Sequence, residues 1–134
     1  MIQPRIFYLI SGIVAVLLGV ASRVLHTGFT AIDKYLGDAL YAVLVYILLG
    51  VAWPGMALAR KALVACALMV GIEAFQLTQI PARMAKSGSL ALKLGAIILG
   101  TSFSWYDLLA YAGGIVLAFL IDRTLRQTPP NVAR

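Results

Sequence analysis

The chain has 134 residues, 62% of them hydrophobic and 12% charged, against roughly 45–50% and about 25% in soluble domains. A soluble domain this small could not hide so much apolar surface, so composition points to one integral membrane domain. The net charge of +6 fits Lys and Arg flanking spans and meeting anionic headgroups, and without an RNP-like, zinc-finger or helix-turn-helix pattern it makes no case for nucleic acid.

The opening run, MIQPRIFYLISGIVAVLLGVAS, has the basic start and small-residue end of a signal peptide. Its apolar part exceeds the usual 7–15 residues, so it reads as a retained first span, about Ile6 to Leu25. After the loop HTGFTAIDKY, a second span runs from about Leu36 to Trp53, where Pro54 and Gly55 break it. Arg60 and Lys61 then mark an interface, and a third span runs from about Ala62 to Ile80, ended by Pro81. Residues 89–103, SLALKLGAIILGTSF, are apolar but interrupted by Lys93. Their longest clean run is too short to cross, so a re-entrant or interfacial helix is expected, with a fifth span as the rival. A last span covers about Trp105 to Ile121. The expected fold is therefore all-α, a bundle of four transmembrane helices plus that short helix. Residues 1–125 would form a single domain and 126–134 a flexible tail.

With four spans both termini share a side. That side holds Arg5, Arg60, Lys61, Arg123, Arg126 and Arg134, six basic residues against five on the other side. The positive-inside rule then favours cytoplasmic termini.

Depth arithmetic gathers the polar residues at one level. At 1.5 Å per residue, Glu73 lies about 18 Å from the inner face marked by Lys61, Gln76 about 22 Å and Gln79 about 27 Å. On the same rise Arg23 is about 27 Å up the first span, Asp38 about 22 Å up the second and Asp107 about 24 Å up the fourth. Every span thus carries an ionisable group in its outer half or at the outer rim, and the inner half is expected to have none. A charge at mid-membrane costs roughly 2.5–3.5 kcal/mol on insertion scales, so these groups should turn inward and pair, Arg23 with Asp38 or Glu73 first. The stripes Gly12–Val16–Gly19–Arg23 and Asp107–Tyr111–Gly114 are expected to face protein.

Two readings fit this cluster. One is an internal network that fixes helix order, with Arg23, Arg83 and Lys93 balancing Asp38, Glu73 and Asp107. The other is an outer-face pocket in which the cations receive an anionic headgroup. Paired acids could do acid–base work, but no Ser/His/Asp order, Cys/His pair or HExxH helix is present. A membrane carboxylate could also exchange protons in a transporter, although a chain this small would then need an oligomer. One cysteine, Cys66, and one histidine, His26, leave neither an internal disulfide nor a metal site, and no cofactor is expected. Tyr8, Tyr35, Trp53, Trp105 and Tyr106 fit an interfacial aromatic belt.

Four runs in order, GVASR (19–23), YLGDALYAVLVY (35–46), IEAFQL (72–77) and LGTSFSWYDLLAYAGG (99–114), resemble a family of small bacterial inner-membrane proteins catalogued as domain of unknown function twenty-eight-oh-nine, over roughly residues 5–123. A fainter likeness to the VanZ-like family, named for a teicoplanin-resistance protein, rests on Glu73 and Gln76, then Arg83, then Asp107. The resemblance implies a multi-span protein whose recurrent positions match Arg23, Asp38, Glu73, Gln76, Arg83, Trp105 and Asp107, and it brings no activity. The expectation is a non-catalytic membrane protein whose polar site comprises those residues and Lys93. Its partners would be membrane lipids, with an accessory role in a larger membrane complex as the alternative.

Overall fold

The computed structural model describes residues 4–127, the side chain of Arg23 apart. Six helices follow one another: α1 (Pro4–Val24), α2 (Thr30–Ala52), α3 (Leu58–Leu77), α4 (Ile80–Ala85), α5 (Leu90–Leu99) and α6 (Trp105–Gln127). There is no strand among the described residues.

Three helices, Pro4–Ser22, Thr30–Ala52 and Trp105–Gln127, are long and apolar enough to cross a membrane. Helix α3, with 20 residues, spans about 30 Å and is long enough, but Arg60, Lys61 and Glu73 interrupt its apolar character. Helix α5 has ten residues, about 15 Å, which is half of a ~30 Å hydrocarbon core.

The helix ends differ from the sequence expectation for local reasons. Helix α2 begins at Thr30 rather than Leu36, because the Asp33 carboxylate accepts hydrogen bonds from the Thr27 amide at 3.1 Å and the Thr27 hydroxyl at 2.8 Å. An acid in a first turn also complements the helix dipole. Helix α3 stops at Leu77, and Gln79 takes a left-handed conformation (φ 60°) that turns the chain into α4, where Pro81 sits comfortably in the first turn. Helix α6 runs on to Gln127, so Arg126 and Gln127 belong to it, and the rest of the expected tail, 128–134, lies outside the described residues.

Helices α2, α3 and α6 pack mutually, α1 packs chiefly on α2, and the α4–α5 hairpin joins the end of α3. The central core is Ala42, Tyr46 and Leu49 of α2, Ala65 and Met69 of α3, and Tyr111, Ile115 and Ala118 of α6. Small residues set the helix separation. A Cβ on Gly114 would strike the Ala39 carbonyl oxygen and lie 3.1 Å from the Ala39 Cα, so α2 and α6 touch backbone to backbone there. A Cβ on Gly50 would lie 2.7 Å from the Tyr8 ring, which fills that notch and seats α1 on α2. The expected stripe on α1 is therefore rotated. Tyr8 and Ala15 are buried, whereas Val16 faces outward. The stripe on α6 is as expected, with Asp107, Tyr111 and Gly114 all buried.

Outward faces are strongly apolar, with Leu17, Leu63, Ile97 and Leu109 each more than 60% exposed, while Lys61, Glu73, Gln76, Asp107 and Asp122 are buried. A water-soluble bundle has the reverse polarity. Gly114→Ala is expected to lower stability by about 1–3 kcal/mol, as overpacking against a backbone does. Gly113→Ala, where a Cβ meets open space, should leave thermal unfolding in mild detergent unchanged.

Candidate functional site: two buried polar layers

The polar side chains form two layers at opposite ends of the apolar core. On α3 the layers are represented by Lys61 and Glu73, about 18 Å apart by helical rise, and on α6 by Asp122 and Asp107, about 22 Å apart.

The layer near the α4–α5 hairpin contains much of the expected site. The Glu73 carboxylate accepts a hydrogen bond from the Tyr111 hydroxyl at 2.7 Å and longer ones from the Ser104 amide and the Gln76 side chain, both at 3.4 Å. Gln76 donates through Nε2 to the Leu99 carbonyl at 2.7 Å. That bond pulls the end of α5 over the layer. Gly100 makes this approach possible: its φ is 75°, and a Cβ there would lie 2.7 Å from the Gln76 amide nitrogen. Asp107, in the first turn of α6, pairs with Lys34 of α2 at 2.7 Å; the carboxylate is buried and the Lys34 side chain is 49% exposed. Asp38 lies half-buried one helical turn beyond Lys34.

Four of the eight expected residues, Asp38, Glu73, Gln76 and Asp107, belong to this layer. Arg83 and Lys93 do not: both are exposed on the hairpin and make no ion pair among the described residues. The chain folds back over Glu73 and Gln76, but it offers backbone groups, the Leu99 carbonyl and Ser104 amide, rather than cations. Trp105 is 74% exposed, with its ring edge-on to Phe103 at 5.0 Å. The Arg23 side chain lies outside the described residues. Lys34, read beforehand as a loop residue, is the partner of Asp107 because α2 starts a turn and a half earlier than expected.

The second layer overturns the expectation that the opposite half carries no ionisable group. Lys61 is fully buried and donates to Asp122 Oδ2 at 2.9 Å and to the Tyr8 hydroxyl at 2.7 Å. Its ammonium stands over the Tyr8 and Tyr46 rings, 4.3 and 4.9 Å from their centroids, and gains from both ring faces. Asp122 Oδ2 also accepts from Tyr8 at 2.7 Å and Tyr46 at 3.0 Å. Arg126 closes the layer: its Nε donates to Asp122 Oδ1 at 3.1 Å, and its Nη2 to the Tyr8 hydroxyl at 2.8 Å and the Pro54 carbonyl at 3.3 Å. Helices α1, α2, α3 and α6 meet here. The start of α1, the α2–α3 turn and the end of α6 therefore share one end of the bundle. Tyr8, expected in an interfacial belt, is instead a buried member of this layer.

No group of three or more His, Cys, Asp or Glu side chains able to hold a metal ion occurs among the described residues. The donors present can fix charges and hold helices, and at their exposed margins can meet an anion.

The architecture is thus that of an all-helical chain with helices of membrane-crossing length, tied together by internal polar layers. The chain belongs to the family described as protein of unknown function (DUF2809), whose model matches residues 28–115, a narrower span than the resemblance implied. The layer around Glu73 falls within the matched segment as far as it is described, whereas Tyr8, Asp122 and Arg126 lie outside it. No curated protein and no solved structure matches the chain. The VanZ-like likeness stays a resemblance of short motifs.

Asp122→Asn is expected to lower stability by about 3–5 kcal/mol, because it leaves the fully buried Lys61 ammonium without its carboxylate, and the double variant with Lys61→Met should recover much of that loss in thermal unfolding. Tyr111→Phe removes the shortest donor to Glu73 and should cost about 1–3 kcal/mol by the same measurement.

Proposed function

We propose that the chain is a non-catalytic multi-pass protein of a bacterial inner membrane. In this reading α1, α2, α3 and α6 cross, the α4–α5 hairpin lies at the periplasmic surface, and the chain ends sit on the cytoplasmic side. The observation that carries it is the inverted polarity of the bundle, with apolar side chains outward and Lys61, Glu73, Gln76, Asp107 and Asp122 buried. A hydrocarbon surrounding favours that arrangement. Helix α3 can cross despite its charges because Lys61 and Glu73 both face protein.

The layer around Glu73 then serves an anionic headgroup or an anionic amphiphile. Support comes from the exposed cations at that end: Lys34 is held by Asp107 with half of its side chain open, and Arg83 and Lys93 stand exposed on the hairpin. Held in this way, Lys34 has further N–H donors for a phosphate oxygen. The buried part of the layer is filled by its own hydrogen bonds, which supports a structural role for Glu73 and Gln76 and a binding role for the cationic rim.

A second reading, an accessory subunit of a larger membrane complex, draws on Gly19 and Gly113, where a Cβ would meet open space. Small residues on open faces admit a neighbouring helix. Native mass spectrometry of the full chain from mild detergent separates the two. One anionic phospholipid retained at the hairpin end, with that occupancy alone reduced about tenfold by Lys34→Gln (the loss of one charge-assisted contact), is the expected result. Co-purifying protein chains without lipid would favour the subunit.

A further inference from the structure

A groove runs along the outside of the bundle between α1, α2 and α6, with a volume of about 350 Å³, inside the ~300–1,000 Å³ range of ligand sites. It exists because α1 packs on α2 but hardly on α6, so the two helices are bridged mainly at their shared end by Tyr8 and Asp122. Its wall is almost wholly apolar, with Val14, Leu18, Val43 and Leu117 along its length. The hydroxyl of Ser11, the one polar group midway, is turned back onto the Phe7 carbonyl at 2.9 Å. At one end the groove reaches Tyr8, Tyr46 and Asp122, and there it shares Phe7, Tyr8 and Asp122 with a second hollow of about 400 Å³ that Arg126 also lines.

The chemistry of that end is unbalanced. Lys61 and Arg126 bring two positive charges against the single carboxylate of Asp122. Lys61 is fully buried, but the Arg126 side chain is 40% exposed. The guanidinium uses Nε and Nη2 within the protein, and its Nη1 makes no hydrogen bond among the described residues. An apolar slot thus leads to a surplus positive charge on a partly exposed guanidinium with one nitrogen unused among the described residues.

We propose that this groove and hollow bind one anionic glycerophospholipid, an acyl chain lying along α1 and α6 and the phosphate meeting Arg126. The inference rests on the membrane-spanning reading but not on the headgroup role of Lys34, which concerns the other end of the bundle. The two ends of such a lipid are recognised by different physics. The chain fills apolar surface that would otherwise stay unpacked between two helices, and the phosphate takes the surplus charge in a charge-assisted hydrogen bond. Tyr8 and Asp122 position the guanidinium rather than touching the phosphate.

The test uses the full chain reconstituted in vesicles of equimolar phosphatidylglycerol and phosphatidylcholine, extracted in mild detergent and weighed with its retained lipid. Wild type should keep phosphatidylglycerol in preference to phosphatidylcholine. Arg126→Gln should lower that preference about tenfold, and Arg126→Lys should lower it less. Val14→Trp, at an exposed position that leaves the polar layer untouched, should block the groove and remove one bound phosphatidylglycerol per chain, so the outcome does not depend on Arg126→Gln folding. Lys34→Gln should leave this lipid in place. Equal retention of both lipids, meaning annular lipid only, would overturn the proposal. So would Val14→Trp holding phosphatidylglycerol as the wild type does.

Discussion

An ionised side chain that cannot reach water has to be neutralised and hydrogen-bonded inside the protein, or the segment carrying it will not stay in an apolar surrounding. Lys61 is the extreme case: nothing of its side chain is exposed, and its ammonium meets a carboxylate, a hydroxyl and two ring faces. Those partners come from α1, α2 and α6, so satisfying one cation fixes three other helices around α3. The opposite layer obeys the same requirement with weaker groups. Glu73 is held by a phenol, a backbone amide and a carboxamide, and Asp107 by Lys34.

Polar layers of this kind need close helices, and the apolar core between them is built for that. Alanines 42, 65 and 118 sit at its centre, and Gly114 lets α6 lie against the backbone of α2 at Ala39. Lipid is as apolar as a leucine side chain, so burial of methyl groups adds little in a bilayer, and packing with internal hydrogen bonds does more of the work. The same logic accounts for Tyr8, whose ring fills the notch at Gly50 while its hydroxyl joins the polar layer.

Much of this was legible in the residues. The long helices and the short one before α6 follow from apolar run length and from Pro and Gly breaks. The level of Glu73, Gln76 and Asp107 follows from helical rise, and the face of α6 from the Asp107–Tyr111–Gly114 spacing. Had that stripe been carried on by four residues twice, through Ala118, it would have reached Asp122. Stepping back from Glu73 by fours through Met69 and Ala65 likewise reaches Lys61. These were missed because charges near the ends of apolar runs read as interface markers, and a one-dimensional count cannot tell a charge turned to water from one turned to a neighbouring helix. Nor could it tell Lys34 from a loop residue, since the start of α2 depends on the Thr27–Asp33 contact. Arg83 and Lys93 were assigned inward by charge balance alone, and the backbone of the folded-back loop supplied what cations were expected to supply.

The order of the chain adds a consequence for how such a protein is made. Tyr8, Tyr46 and Lys61 all precede Asp122, which arrives near the end of the last helix. On the membrane-spanning reading proposed above, a ribosome that has delivered α1 to α3 has placed Lys61 without the carboxylate that α6 later brings, to be met meanwhile by Tyr8 and Tyr46 or turned toward water at the membrane surface. On that reading the last helix closes the layer, and a chain cut short before it keeps Lys61 without its carboxylate.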